Sequence, residues 1–183
     1  TRQWPKACPS IMSKPDQFRP APPRDLKSEL WAKDFNEIKA LGGKSSSKRT
    51  AEQTAIATFW AASAPTIYMG VVHSIANQPG RTVAQDARLF TMVSQAMDDA
   101  AIAVFDGKYH YNYWRPITAI RNADNDGNDA TERDASWTPF IDTPMHPEYP
   151  CAHCIGAGAA PAVIEAVLGS KTIPQVSMIS STA

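Results

Sequence analysis

A chain of 183 residues, 43% apolar and 20% charged, is ordinary globular composition and long enough to bury a core. Lys+Arg and Asp+Glu both number 18, so there is no net charge to draw in a nucleic-acid backbone or an anionic membrane surface. No apolar run reaches the roughly 18 residues of a spanning helix. The start TRQWPKACPS lacks a signal-peptide pattern, which predicts a soluble chain, or one already processed or secreted.

Residues 1–24 carry Pro5, Pro9, Pro15, Pro20, Pro22 and Pro23. Proline removes the amide donors that helices and sheets need, so this stretch reads as an irregular arm ahead of a single helical domain over 25–183. From Asp25 to Leu41, the spacing of Leu26, Leu30, Trp31, Phe35, Ile38 and Leu41 predicts an amphipathic helix stopped by Gly42-Gly43. Thr50 with Gln53 forms a capping-box pattern that opens a second helix. Pro65 suits the first turn of a third, running to Asn77, and Gln78-Pro79-Gly80 marks a turn. Thr82 with Gln85 repeats the capping box, and helical spacing continues from Val83 to about Phe105. Cys151 to Leu168 reads as a last helix closed by Gly169, with Pro161 as a kink point. No strand run stands out, so the fold class is all-α, a helical bundle with a long irregular stretch between Asn122 and Pro150.

Two segments carry the chemistry. In KYHYNYWRP, Lys108 and Arg115 are seven residues apart, which on a continuous helix places two cations on one side, about 10 Å apart along the axis. Pro116 disfavours helical geometry at Arg115 and suggests a helix break there. A planar guanidinium and a compact ammonium together suit a tetrahedral oxyanion. Taken alone, the spacing fits two surface cations around a tyrosine-rich packing segment at least as well. In HPEYPCAHC, His153 falls in the first turn of the last helix, where unpaired amides favour anions and an imidazole can act as acid or base near neutral pH.

Other patterns are weaker. Asn122, Asp124 and Asp126-Gly127 imitate the start of a calcium loop, but its twelfth position is Arg133. Cys151 and Cys154 have thioredoxin-like spacing without a βαβ context. Ile155 after Cys154 excludes a haem-attachment motif, and haem is not expected. Asp98 and Asp99 diverge by about 100° on a helix and do not face one site. The odd count of three cysteines, Cys8 being the third, leaves the redox compartment open.

KYHYNYWRPITAIR, the DGN at 126–128, TPMHPEYPCAH at 143–153 and the small-residue helix after it resemble the vanadium-dependent haloperoxidases and their type 2 phosphatidic acid phosphatase relatives. With RTAEQTAIATFWA and the helix from Asp86, the likeness covers about residues 49–170. The resemblance implies that Lys108 and Arg115 hold vanadate or phosphate oxygens and that His153 is the acid/base histidine. Cys151 and Ala152 match a serine and a glycine at oxyanion-contact positions, replacing a hydroxyl by a thiol and adding a Cβ. His146 falls at a position linked to halide preference and resembles bromoperoxidase-like members.

The resemblance also implies vanadate as cofactor, with phosphate as an alternative, and small anions, halide and hydrogen peroxide as partners. The family's third motif, an arginine followed by the vanadium-ligating histidine, has no counterpart before Ala183. Truncation, cleavage into two chains and loss of activity are all compatible expectations, as is a second chain or homo-oligomer that completes the fold. A haloperoxidase, an acid phosphatase and a non-catalytic storage, binding or interaction relative are therefore all expected readings.

Overall fold

The computed structural model describes residues 2–173, 175–176 and 180–182. Among the described residues the chain is helical without strands, as expected: α1 (Glu29–Leu41), α2 (Ala51–Phe59), α3 (Ala64–Ala76), α4 (Val83–Tyr111), α5 (Pro116–Arg121) and α6 (Ala152–Leu168). No single helix there is long and apolar enough to cross a membrane. The residues gather into two compact units, one made of Thr1–Arg19, Phe59–Gly107 and Cys151–Ala183, the other of Pro20–Thr58 and Lys108–Pro150.

The helix ends follow local chemistry. Ser28 caps α1 by accepting from the Trp31 amide, so α1 starts four residues later than the apolar spacing suggests. Both capping boxes form: Gln53 accepts from the Thr50 amide while Thr50 accepts from that of Gln53, and Gln85 and Thr82 do the same before α4. Gly169 closes α6 at φ 67°, a left-handed cap that glycine adopts without a Cβ clash. α6 continues through Pro161. α4 runs six residues beyond the expected Phe105, because Asp106 to Tyr111 continue as helix until Asn112 turns to φ 48°. α5 has no apolar period long enough to be read from sequence; its start is set by extended Arg115 and by Pro116 in the first turn.

The first unit packs α3, α4 and α6 around Val72, Leu89, Val93 and Ala160, none of which has exposed surface. Burying each large aliphatic there contributes about 1.5–3 kcal/mol. The second unit sets α1 against α5 through Phe35, Ala119, Ile120, Ala123 and Trp137. Its irregular stretch is held by polar side chains. Buried Asp126 accepts from Thr131 Oγ1 (2.7 Å), the Asn128 amide (2.9 Å) and Trp31 Nε1 (3.3 Å), and Asp124 pairs with Arg133. The carboxylates of the calcium-like pattern are therefore engaged in closing a loop.

The proline-rich arm is irregular but anchored. In the first unit the amides of Ser10, Ile11 and Met12 donate to Asp99 at 2.6, 2.8 and 2.8 Å, and Arg19 forms a two-pronged pair with Asp106. In the second, the hydroxyls of Tyr111, Tyr149 and Tyr113 donate to the carbonyls of Pro20, Ala21 and Arg24. A proline-rich strand has more acceptors than donors, and tyrosine hydroxyls supply the difference.

Candidate oxyanion site

Lys108 lies in the last turn of α4 and Arg115 is the N-cap of α5, with Asn112 in the left-handed region between them. The two cations are not on one helical face. The helix ends at Tyr111, and Pro116 keeps Arg115 extended at ψ 155°. What brings them together is the segment His146–Glu148. Lys108, 1% exposed, donates from Nζ to the carbonyls of Pro147 (2.9 Å) and Glu148 (2.7 Å). Arg115 donates from Nε to the His146 carbonyl, from Nη2 to His146 Nδ1 and from Nη1 to Glu148 Oε2, each at 2.7 Å. Arg115 and Glu148 also line a cleft of about 300 Å³ with Arg49, Trp137 and Phe140.

The guanidinium is always protonated, so His146 Nδ1 accepts from Arg115, which places the ring proton on Nε2. The longer approach of Nδ1 to the Pro147 carbonyl, 3.2 Å, needs a proton on Nδ1 and so gives way to the Arg115 contact. Burial first, then the charges of Arg115 and Lys108, hold the imidazole below its ordinary value of 6.5. A histidine depressed on folding binds fewer protons folded than unfolded, so stability falls as pH drops from 6.5 toward the folded value. His146→Ala is therefore expected to flatten the loss of unfolding free energy between about pH 7 and 5. Urea titrations at a series of pH values check this, and an unchanged slope contradicts the assignment.

The end of the second segment, from Cys151 on, belongs to the first unit. Cys151 is the N-cap of α6 and its Sγ accepts from the Cys154 amide at 3.3 Å, with Ala152 as the first helical residue. Helix geometry gives the amides of Ala152 and His153 no intrahelical acceptor, so this first turn is disposed toward anions. His153 Nε2 lies 2.9 Å from the Ala62 carbonyl. A carbonyl only accepts, so Nε2 carries the proton and Nδ1 is the basic atom. Ala152 and His153 line an apolar cleft of about 240 Å³ with Trp4, Met97, Val104 and Phe105. Lys108, Arg115 and His146 are thus organised inside the second unit, and His153 inside the first.

The model of the VCPO second helical-bundle domain matches residues 88–183, more than half of the chain, and spans both segments. The chain belongs to the vanadium haloperoxidase superfamily. It is 30% identical over 149 residues to the vanadium chloroperoxidase of Curvularia inaequalis, covering 66% of this chain and 24% of that protein. It also resembles the crystal structure of a bacterial vanadium-dependent iodoperoxidase, 28% identical with a TM-score of 0.73, over 92% of this chain and 42% of that one. The chain therefore spans about a quarter to two fifths of the length of these relatives.

Within this superfamily framework, Glu148 is the residue the motif reading passed over. It lies inside HPEYPCAHC, but its partner Arg115 is 33 positions away, and nothing in a single sequence pairs them. Tyr113, whose hydroxyl donates to the Arg24 carbonyl, is pushed up to about 12 by burial and by Asp25 and Asp34, so it stays a neutral donor.

Proposed function

We propose that this chain carries oxyanion-binding residues of a vanadium-dependent haloperoxidase, in which hydrogen peroxide oxidises a halide. In this reading Lys108 and Arg115 are the vanadate-holding cations of the second unit, and the first unit carries its own anion-disposed groups, the first-turn amides of Ala152 and His153 with Nδ1 of His153 to move a proton. The observation that carries it is the state of Arg115. Its guanidinium is oriented on two atoms by His146, and its remaining prong already engages a carboxylate, so a receptor for an anionic oxygen is built into the second unit.

The donor set fits vanadate: a lysine and an arginine, both cationic, for the negative oxygens and a proton-carrying histidine, and among the described residues no cluster of histidine, cysteine and acidic side chains stands ready for a bare cation. When bound, vanadate supplies the Lewis-acid chemistry that makes peroxide reactive toward halide. His146, neutral with its proton on Nε2, is the donor proposed to face the halide. Phosphate has the same tetrahedral charge and competes for the same residues.

Glu148 is the internal competitor in this account. Its carboxylate is 40% exposed and can leave Arg115 for solvent at small cost. Glu148→Gln removes the charge but keeps the shape, and is expected to tighten vanadate and phosphate binding roughly fivefold to tenfold, the equivalent of about 1 kcal/mol. Calorimetric titration reads the change, and unaltered or weaker affinity in this variant argues against Arg115 as the anion receptor.

A further inference from the structure

Cys151 and Cys154 stand at the N-cap and the third residue of α6, and both are exposed. Position three in a helix faces back over the cap, so the two side chains share one edge of the first turn. The Cys151 sulfur is folded over that turn, 3.3 Å from the Cys154 amide, and the Cys154 thiol is directed at the same sulfur. Two reduced, exposed sulfurs on one helix start, the Cys154 thiol hydrogen-bonded toward Cys151, are placed to form an S–S bond. The sulfur of Cys151 here accepts from an amide as a capping serine would, a role that a disulfide-bonded sulfur fills poorly.

We propose that Cys151 and Cys154 form a redox-active dithiol that hydrogen peroxide closes to an intramolecular disulfide. Peroxide oxidises one thiol to a sulfenic acid, its O–O bond breaking and one water leaving. The sulfur of the other then displaces the hydroxyl, the S–S bond forms and a second water leaves. Two thiols and one peroxide thus give one disulfide and two waters, and a dithiol reductant reverses the change. The Cys154 amide donates to the Cys151 sulfur at 3.3 Å, a contact that favours the thiolate there and assigns the sulfenic acid to Cys151. Closure also takes the Cys151 thiol away from the first-turn anion site; that consequence rests on the proposed oxyanion reading, whereas the thiol chemistry does not.

The test treats the whole chain with equimolar hydrogen peroxide, unfolds it, labels it with N-ethylmaleimide and reads the intact mass and the peptide map. The expected result is one labelled cysteine per chain, Cys8, with a peptide link between Cys151 and Cys154, and three labels after dithiothreitol. Cys154→Ser is expected to stop at a sulfenic acid on Cys151 that dimedone traps, and Cys8→Ser to leave the disulfide intact. Three labelled thiols after peroxide, a link involving Cys8, or a covalent dimer of chains would each overturn the proposal. None of these readouts depends on vanadate, so they stand apart from the test of the anion site.

Discussion

Lys108→Ala is expected to lower the unfolding free energy by about 3–5 kcal/mol. The lysine is 1% exposed and its ammonium is shared by the carbonyls of Pro147 and Glu148. Removing it strands two partly buried acceptors, each worth up to about 1–3 kcal/mol when unsatisfied, and leaves the volume of three methylenes and the ammonium unfilled. Lys108→Met fills the volume without the donors, so it should recover only part of the loss. Denaturant unfolding of the three proteins separates the contributions, and a cost below about 1 kcal/mol for Lys108→Ala would mean that the 146–148 segment does not depend on this ammonium.

The second large effect concerns the arm. Asp99 is 5% exposed and receives three backbone amides in a row, from Ser10, Ile11 and Met12. Charge-assisted bonds of this kind contribute about 1.5–3 kcal/mol each where measured singly, and they are not additive in a cluster. Asp99→Ala is expected to cost about 3–5 kcal/mol and to release residues 10–12, visible as faster amide exchange and easier proteolysis there. Burial alone would raise this carboxyl, but the three amides outweigh it and hold it below its ordinary 3.8. A depressed carboxylate stabilises the fold above its unfolded value, and that contribution disappears as pH falls through the lower folded one. The variant should therefore lose part of the acid-limb dependence seen in the parent. If amide exchange at Ser10–Met12 is unchanged in Asp99→Ala, the anchor lies elsewhere.

Much of the architecture was legible because helix signals are local. The two capping boxes, Pro65 and Gly169 each act within one turn, and each marks a helix boundary to within about a residue. The end of α4 was not legible, since Lys108-Tyr109-His110-Tyr111 has no stop signal; the break depends on Asn112 taking a positive φ that only the fold imposes. α5 escaped for a related reason, being one and a half turns with Ala119 and Ile120 buried by a tertiary partner, α1.

The candidate site was half legible. Residue types and spacing singled out Lys108, Arg115 and His153, because such side chains in two short motifs suit oxyanion chemistry, whereas His146 came only from the family resemblance. The expectation that Lys108 and Arg115 share a helix face assumed continuity that Asn112 and Pro116 deny. Their pairing with Pro147, Glu148 and His146 spans more than thirty positions and comes from the path of an irregular segment with no periodicity to read. Asp99 was dismissed as half of a divergent pair with Asp98. Its three partners lie in an arm whose prolines conceal an ordered, hydrogen-bonded path.

Whether the cations of the first motif receive an oxyanion is read by titrating the chain and its Arg115→Ala variant with orthovanadate in a calorimeter at neutral pH. The expected result is saturable binding to the parent chain, displaced by phosphate, and an affinity about 10–100-fold weaker in Arg115→Ala, the equivalent of one lost charge-assisted contact. Equal affinity in the two proteins, or no saturable binding to the parent, would contradict it.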